Sequence, residues 1–536
     1  VMISVARKVL LLLCLSSVVW AKPLTIQQFS NRPKLILVLV IDQFRADYLT
    51  RFEKKFLPSI SKKTLGGFSY LMHHSAYFPL AQYDALQNLT CPGHATILTG
   101  AYSYQTQIPT NYWYSQESKR LVYCVEDPSQ SVIGSTGPSS DLPGVSPKYL
   151  HGSTLGDEIK NVKDARVVSV ALKDRASVML GGHRADLALW FESTLSQWVS
   201  SQYYLSDKKL PDWLVQYNKK FEQGGVFSWK TPQFTYPDVT KGSEESLKTA
   251  YGIELTVSMA EKVFDQFELG RRQTTDLLTV SFSGHDKLGH AVGPNSPMME
   301  ELTLEEDRAF SRLFNFIKKK MPGGMQDVVI VLTGDHGVAP KPEWAEERKF
   351  DAGKIDTNAL SKRVCELLDK KYGKPAQGEW IVANADFHFY LNLEAIADKR
   401  INLEEIEHFV QAYLKKEPHF SHVLTSSDHL SGKFLPGIFK NQSIHSFVEK
   451  RSGQLIVVPD PYYIYKSTYN ATHFTGYTYD RMVPLLISGK SVRQGVYSTQ
   501  AHVVDIAPTL AFLAGVVPPS LSEGRVLSEI FGKSQN

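Results

Sequence analysis

Three aspartates and three histidines recur along this chain in settings suited to holding metal ions: Asp42, Asp286-x-x-x-His290, Asp335-His336 and His473, with Thr90 between Asp42 and Asp286. A catalytic zinc takes about three protein ligands and keeps a position open for substrate, so the set matches two ions. A hydroxyl between two such centres is a nucleophile that the cations would sharpen. The chemistry expected is two-metal hydrolysis.

Each residue also has an ordinary reading. Thr90 lies in Asn88-Leu89-Thr90-Cys91-Pro92-Gly93-His94, where Pro92 predicts a helix starting just after Thr90, and a threonine there is commonly only an N-cap. The helix start equally favours an anion, so the same hydroxyl could carry a phosphoryl group. Asp286 and His290, four apart, fall on one face of a helical turn. Asp335-His336 sits between Gly334 and Gly337, which lets the backbone turn sharply and bring neighbouring side chains into one volume. His473 gains weight only from Thr472-His473-Phe474-Thr475-Gly476, just ahead of an apolar run. Lys173 and Arg175, two apart at a predicted strand end, project to one side in extended geometry. Two cations set among apolar residues call for an anion.

The elements that must position these groups are legible as apolar, β-branched runs. Leu35–Ile41 ends at Asp42, Arg166–Leu172 at Lys173, Leu277–Phe282 ahead of Asp286, and Val328–Leu332 ahead of Asp335. Such runs read as buried parallel strands, and open α/β sheets place their sites beyond the carboxyl ends of the strands. Helical patterns alternate with them, Met298–Met321 among them. The fold expected is therefore α/β: a doubly wound, mostly parallel sheet with helices on both faces. The alternation breaks over 341–469, which reads as an inserted cap or subdomain between core segments 22–340 and 470–536. Val483–Ser488 reads as a returning core strand and His502–Val516 as a closing helix.

Composition sets the outer limits. With 536 residues, 43% of them hydrophobic, the chain can bury a large core. Residues 1–21 carry Arg7 and Lys8, an apolar run from Val9 to Leu15, and Val19-Trp20-Ala21, the pattern of a cleaved signal peptide. A periplasmic or secreted protein is expected, with no stable membrane span, since that run falls short of the roughly 20 residues a span needs. Loss of Arg7 and Lys8 halves the net charge of +4, which speaks against nucleic acid as a partner. Cys91, Cys124 and Cys365 allow at most one disulfide and show no metal-binding spacing. Cys91 also fails as a sulfatase nucleophile, because Pro92 follows it directly and Ala95 stands where that motif needs arginine.

In order, type and setting these residues resemble the alkaline phosphatase superfamily, most closely its phosphate-insensitive periplasmic monoesterases, from Lys34 to about Val516. The resemblance implies one zinc site at Asp42, Thr90, Asp335 and His336, with Thr90 as nucleophile, and another at Asp286, His290 and His473. It implies that Asn111, Lys173 and Arg175 hold the phosphoryl oxygens. Small phosphate monoesters would be the substrates, hydrolysed through a phosphothreonine. Two other readings stand beside it: a nucleotide pyrophosphatase or phosphodiesterase of the same superfamily, and a non-catalytic metal-binding periplasmic protein.

Overall fold

The computed structural model describes residues 32–531 apart from 163 and 223, so the expected leader over 1–21 lies outside the described residues. The apolar runs form the centre of an eleven-stranded sheet. Five neighbouring strands are parallel, in spatial order Val328–Gly334, Leu35–Ile41, Asp276–Phe282, Val167–Ala171 and Leu187–Glu192. Every residue of the first four is buried, as expected of parallel strands covered on both faces. The returning strand, Leu485–Ser488, pairs antiparallel with Val328–Gly334.

Period-two alternation assigns the side chains of Leu35–Ile41 to two cores. Leu35, Leu37, Leu39 and Ile41 pack with Leu255, Phe264, Phe310 and Phe314 of helices Ala250–Gln266 and Pro297–Lys320. Ile36, Val38 and Val40 face the other way, onto Ile97 and Leu98 of helix Thr90–Thr99 and Leu510 of helix Ile506–Ala514. The sheet is thus doubly wound. Each large aliphatic side chain so buried contributes about 1.5–3 kcal/mol, and truncating Leu39 to alanine would cost about 2–5 kcal/mol.

A separate antiparallel sheet lies within the stretch that interrupts the α/β alternation. Its order is Ile381–Ala385, His388–Leu391, Leu455–Pro459, Phe420–Thr425. Leu360 of helix Thr357–Tyr372 and Ile406 of helix Leu403–Leu414 pack with Trp380, Phe389 and Val457 there. That cluster also takes in Leu89 and Phe474. These residues adjoin Thr90 and His473, so the second sheet presses on the chain at both places.

Candidate active site

Four adjacent strands deliver the site. Asp42 follows Ile41, Lys173 follows the strand ending at Ala171, Asp286 lies in the first turn of helix Gly284–Val292 after Phe282, and Asp335 and His336 follow Gly334. Being hydrogen-bonded neighbours, the strands bring their carboxyl ends together. The convergence produces two groups of ligand-type atoms, Asp42 with Asp335 and His336, and Asp286 with His290 and His473, each with its atoms within 4.8 Å of one another.

The three imidazoles share an orientation. His290 Nδ1 lies 2.8 Å from the Ala471 carbonyl, His336 Nδ1 2.9 Å from that of Gly337, and His473 Nδ1 2.8 Å from that of Asn88. A carbonyl only accepts, so each Nδ1 donates and each neutral ring is left with a lone pair on Nε2. Those lone pairs face carboxylates: His336 Nε2 stands 3.2 Å from Asp335 Oδ2 and 3.5 Å from Asp42 Oδ1, His290 Nε2 3.1 Å and His473 Nε2 3.4 Å from Asp286 Oδ1. Asp42 Oδ1, Asp335 Oδ2 and His336 Nε2 are sealed from solvent without a hydrogen-bond partner. Acceptor facing acceptor in a buried space calls for a cation between them, a metal ion or, in its absence, a proton on Nε2, and backbone-anchored Nδ1 is the usual support of a metal-binding histidine. Both donor sets fit divalent ions.

Charge perturbs the same groups strongly. Burial pushes the Asp42 carboxyl well above its usual range, aided by Asp335 and opposed by Lys173. Burial pushes Asp286 the same way, yet His290 and Lys173 outweigh it and hold that carboxyl well below its usual range. Burial, with His473 adding to it, lowers His336 to about 3 although Asp335 opposes. Lys173 Nζ lies 2.5 Å from Asp286 Oδ2 and 2.6 Å from Asp42 Oδ2, bridging the two groups. Its contact with Asp286 is a hydrogen bond; that with Asp42 has ion-pair distance without hydrogen-bond alignment.

Thr90 is the first residue of helix Thr90–Thr99, following Leu89 in extended geometry, and it supplies no capping bond, so the simple cap reading is not realised. Its side chain instead lines a cavity of about 660 Å³ together with Asn111, Lys173, Arg175, Asp286, His290 and His473. Asn111 Oδ1 accepts from Cys91 N–H at 2.9 Å, which turns its NH₂ away as a free donor. A Cys91–Cys124 disulfide joins the same helix to the hairpin Tyr112–Ser115/Arg120–Tyr123 that begins next to Asn111, while Cys365 is a buried free thiol.

One sequence expectation needs correcting. Lys173 and Arg175 do not share an extended strand end: Lys173 is the extended N-cap of helix Asp174–Gly181, and Arg175 lies in its first turn. Both still line the cavity, because the helix turns the second side chain back over the sheet end. Tyr123 Oη, 3.2 Å from Arg175 Nη1, steadies the guanidinium, whose Nε has no partner.

Two supporting residues escaped the sequence reading. Gln43, with φ of 68°, receives no signal beyond following Asp42, yet its N–H donates to Asp335 Oδ1 at 3.0 Å and its side-chain amide to Asp286 Oδ1 at 2.7 Å. It therefore ties the two groups together. His94 stood in the Thr90 motif without a role. Its Nδ1 lies 2.9 Å from the Thr90 carbonyl and 3.1 Å from Asp335 Oδ2, and its Nε2 2.9 Å from Ser281 Oγ. It fixes the helix start against one ligand group. Gly93 allows that approach, since a Cβ there would stand 2.3 Å from the Asp335 carbonyl oxygen.

The fold is that of the alkaline phosphatase superfamily of hydrolases, and the paired carboxylate–imidazole groups are candidate metal-binding groups within it. The chain belongs to the type I phosphodiesterase/nucleotide pyrophosphatase family, whose model matches residues 36–481. It is 30% identical to alkaline phosphatase PafA of Elizabethkingia meningoseptica, over 94% of this chain and 95% of the relative. A crystal structure of wild-type PafA superposes with a TM-score of 0.84 at 29% identity, covering 94% of this chain and 99% of that one. A solved variant of PafA, 28% identical to this chain with a TM-score of 0.83 over 94% of it and 99% of the variant, is substituted at a threonine, an asparagine, a lysine and an arginine. Those four positions are spaced as Thr90, Asn111, Lys173 and Arg175 are spaced here.

Proposed function

We propose that this hydrolase is an exported, zinc-dependent phosphate monoesterase that works through a phosphothreonine on Thr90. The observation that carries the reading is the cavity itself, where one unengaged hydroxyl shares a wall with all three members of one donor set, Asp286, His290 and His473, and with an amide, an ammonium and a guanidinium. Zinc suits these carboxylate and imidazole donors, and when bound it would supply the positive charge that acidifies a hydroxyl and stabilises a departing oxygen.

The remaining work falls to the chain. Asn111 presents its NH₂, Lys173 its charge and Arg175 its planar fork to the non-bridging oxygens, and such fixed positioning is most of what phosphoryl transfer requires. Thr90 Oγ attacks phosphorus, the ester P–O bond breaks, and the alcohol leaves on the opposite side. Water then attacks the phosphothreonine from the vacated side, the Thr90 oxygen departs, and phosphate is released with net retention at phosphorus. A monoester dianion offers three free oxygens to this trio, whereas a diester spends one on a second organic group.

Export is supported by the Cys91–Cys124 disulfide, since such bonds persist in oxidising compartments. Among the described residues no helix is long and apolar enough to cross a membrane. We read 341–469 as an inserted cap; its own sheet and apolar cluster support that division.

The test compares kcat/KM for an aryl phosphate and a bis-aryl phosphate in wild type and Thr90→Ala, with acid-quench trapping of phosphothreonine. The monoester should dominate and Thr90→Ala should abolish both turnover and labelling. Preference for the diester would favour the pyrophosphatase/phosphodiesterase reading. Metal content with no turnover of either ester would favour a binding protein.

A further inference from the structure

The strand Ile381–Ala385 returns as His388–Leu391 through two residues only, Asp386 and Phe387, with Ala385 paired to His388. Both carry positive φ, 49° and 62°, as a tight hairpin turn of the mirror-image type demands. A phenylalanine is ill suited to that region. Its conformation is held by packing: the Phe387 ring is buried, stacks on Phe474 at a centroid distance of 5.1 Å, and meets Phe420 and Tyr465. Phe474 directly follows His473. The strained turn is thereby locked beside one of the two metal-type groups, and its other residue, Asp386, lines the active-site cavity.

Asp386 makes no hydrogen bond or ion pair with any described residue, although its charge bears on His473 and on the phenols of Tyr112, Tyr390 and Tyr465. Tyr112 and Tyr469, 47% and 42% exposed, line the same cavity, and Tyr469 stacks on the His290 ring at 4.1 Å. The cavity is therefore polarised. Lys173 and Arg175 supply cations for the phosphoryl group, and the side near His290 and His473 offers an unpaired carboxylate flanked by two partly exposed rings.

We propose that Asp386 selects the alcohol half of the ester by charge, favouring phosphate monoesters whose leaving group carries an ammonium and rejecting those that carry a second anion. The inference rests on the phosphatase reading above. An ammonium near Asp386 would offset the unpaired carboxylate and meet the electron-rich faces of Tyr112 and Tyr469. A second phosphate or carboxylate would be repelled by Asp386, while the other two lysines of the lining, Lys248 and Lys287, are already paired with Glu245 and Glu244. For unit charges about 6 Å apart at an effective dielectric of about 40, between the protein-surface and bulk-water values, the Coulomb term corresponds to about tenfold in rate per unit of leaving-group charge.

The test uses three esters of similar size that differ in the terminal charge of the alcohol: 3-aminopropyl phosphate, butyl phosphate and the phosphate ester of 3-hydroxypropanoate. Values of kcat/KM are measured by phosphate release for wild type, Asp386→Asn and Asp386→Lys. Wild type should rank cation over neutral over anion by about tenfold per step. Asp386→Asn, isosteric and at ease in the left-handed turn, should collapse the ranking, and Asp386→Lys should invert it. A gain on the anionic ester is something a misfolded variant cannot give. An unchanged ranking in Asp386→Asn, or no charge order in wild type, overturns the assignment while leaving the phosphatase reading intact. If wild type hydrolyses none of the three esters the assignment falls, and the phosphatase reading falls with it only where the aryl phosphate is also left intact.

Discussion

Lys173 should matter most to the protein when metal is absent. Its ammonium, 6% exposed, spans Asp286 Oδ2 at 2.5 Å and Asp42 Oδ2 at 2.6 Å, and Asp335 adds a third buried carboxylate to the same neighbourhood. Substitution by methionine keeps most of the length of the side chain and removes the charge. Taking one partner from a buried ion pair costs about 3–5 kcal/mol, because the charge left behind has neither water nor a counterion. Here two carboxylates lose the same cation, so the upper half of that range applies to metal-free protein. With divalent ions in both groups the carboxylates have cations of their own, and the cost should shrink severalfold. Urea unfolding of wild type and Lys173→Met, each with chelator and with saturating zinc, reads the difference. With a denaturant slope of at least ~3 kcal/mol/M for a chain this long, a loss of about 4 kcal/mol lowers the midpoint by about 1 M in chelator. An equal shift with and without zinc, or no shift in chelator, would refute the view that Lys173 stands in for metal charge between the two groups.

Further expectations follow from neighbouring features. Gly93→Ala forces a Cβ to within 2.3 Å of the Asp335 carbonyl oxygen, so the start of the Thr90 helix must move off the strand end; a loss of about 1–3 kcal/mol in stability should accompany a fall in kcat, and wild-type kcat in this variant would contradict the contact. Burial holds His285 and His388 near 3, well below the ordinary histidine value of 6.5, so the unfolded chain binds more protons than the native one between those limits. Stability of the metal-free protein should therefore fall as pH drops from 6.5 toward 3, with a shallower dependence in His388→Gln; an unfolding midpoint that is flat or rises on acidification would speak against it. Reduction of Cys91–Cys124, which are 33 residues apart, should cost about 3–4 kcal/mol by loop entropy and loosen Asn111 relative to Thr90. Melting temperature and KM for a monoester, measured with and without reductant, report the two effects separately.

The alternation of apolar runs with helical patterns was enough to announce a doubly wound sheet, because a parallel strand buried on both faces leaves a continuous hydrophobic signature and ends at a polar residue. Asp42, Asp286, Asp335 and His336 were legible for that reason, each following a strand end or its first turn. His473 and Asn111 were not legible by position, and Arg175 was legible as a neighbour of Lys173 but not in its backbone geometry. His473 follows no core strand, Asn111 becomes a cavity donor only because Cys91 N–H engages its oxygen, and Arg175 reaches the cavity through a helical turn that pattern alone read as extended backbone. The candidacy of His473 and Asn111 came from local context and resemblance, that of Arg175 from its spacing to Lys173.

By itself, then, the sequence determined the layered core, the strand ends that supply most of the charged groups, and the residue types those ends carry, since burial and period are local properties of a chain. Which groups face one another was decided only by tertiary structure. Gln43 bridging two carboxylates, His94 tying Thr90 to Asp335, Lys173 between Asp42 and Asp286, and Asp386 arriving from another sheet are pairings across tens to hundreds of residues. No local periodicity encodes them, because they exist only once the strand order is fixed.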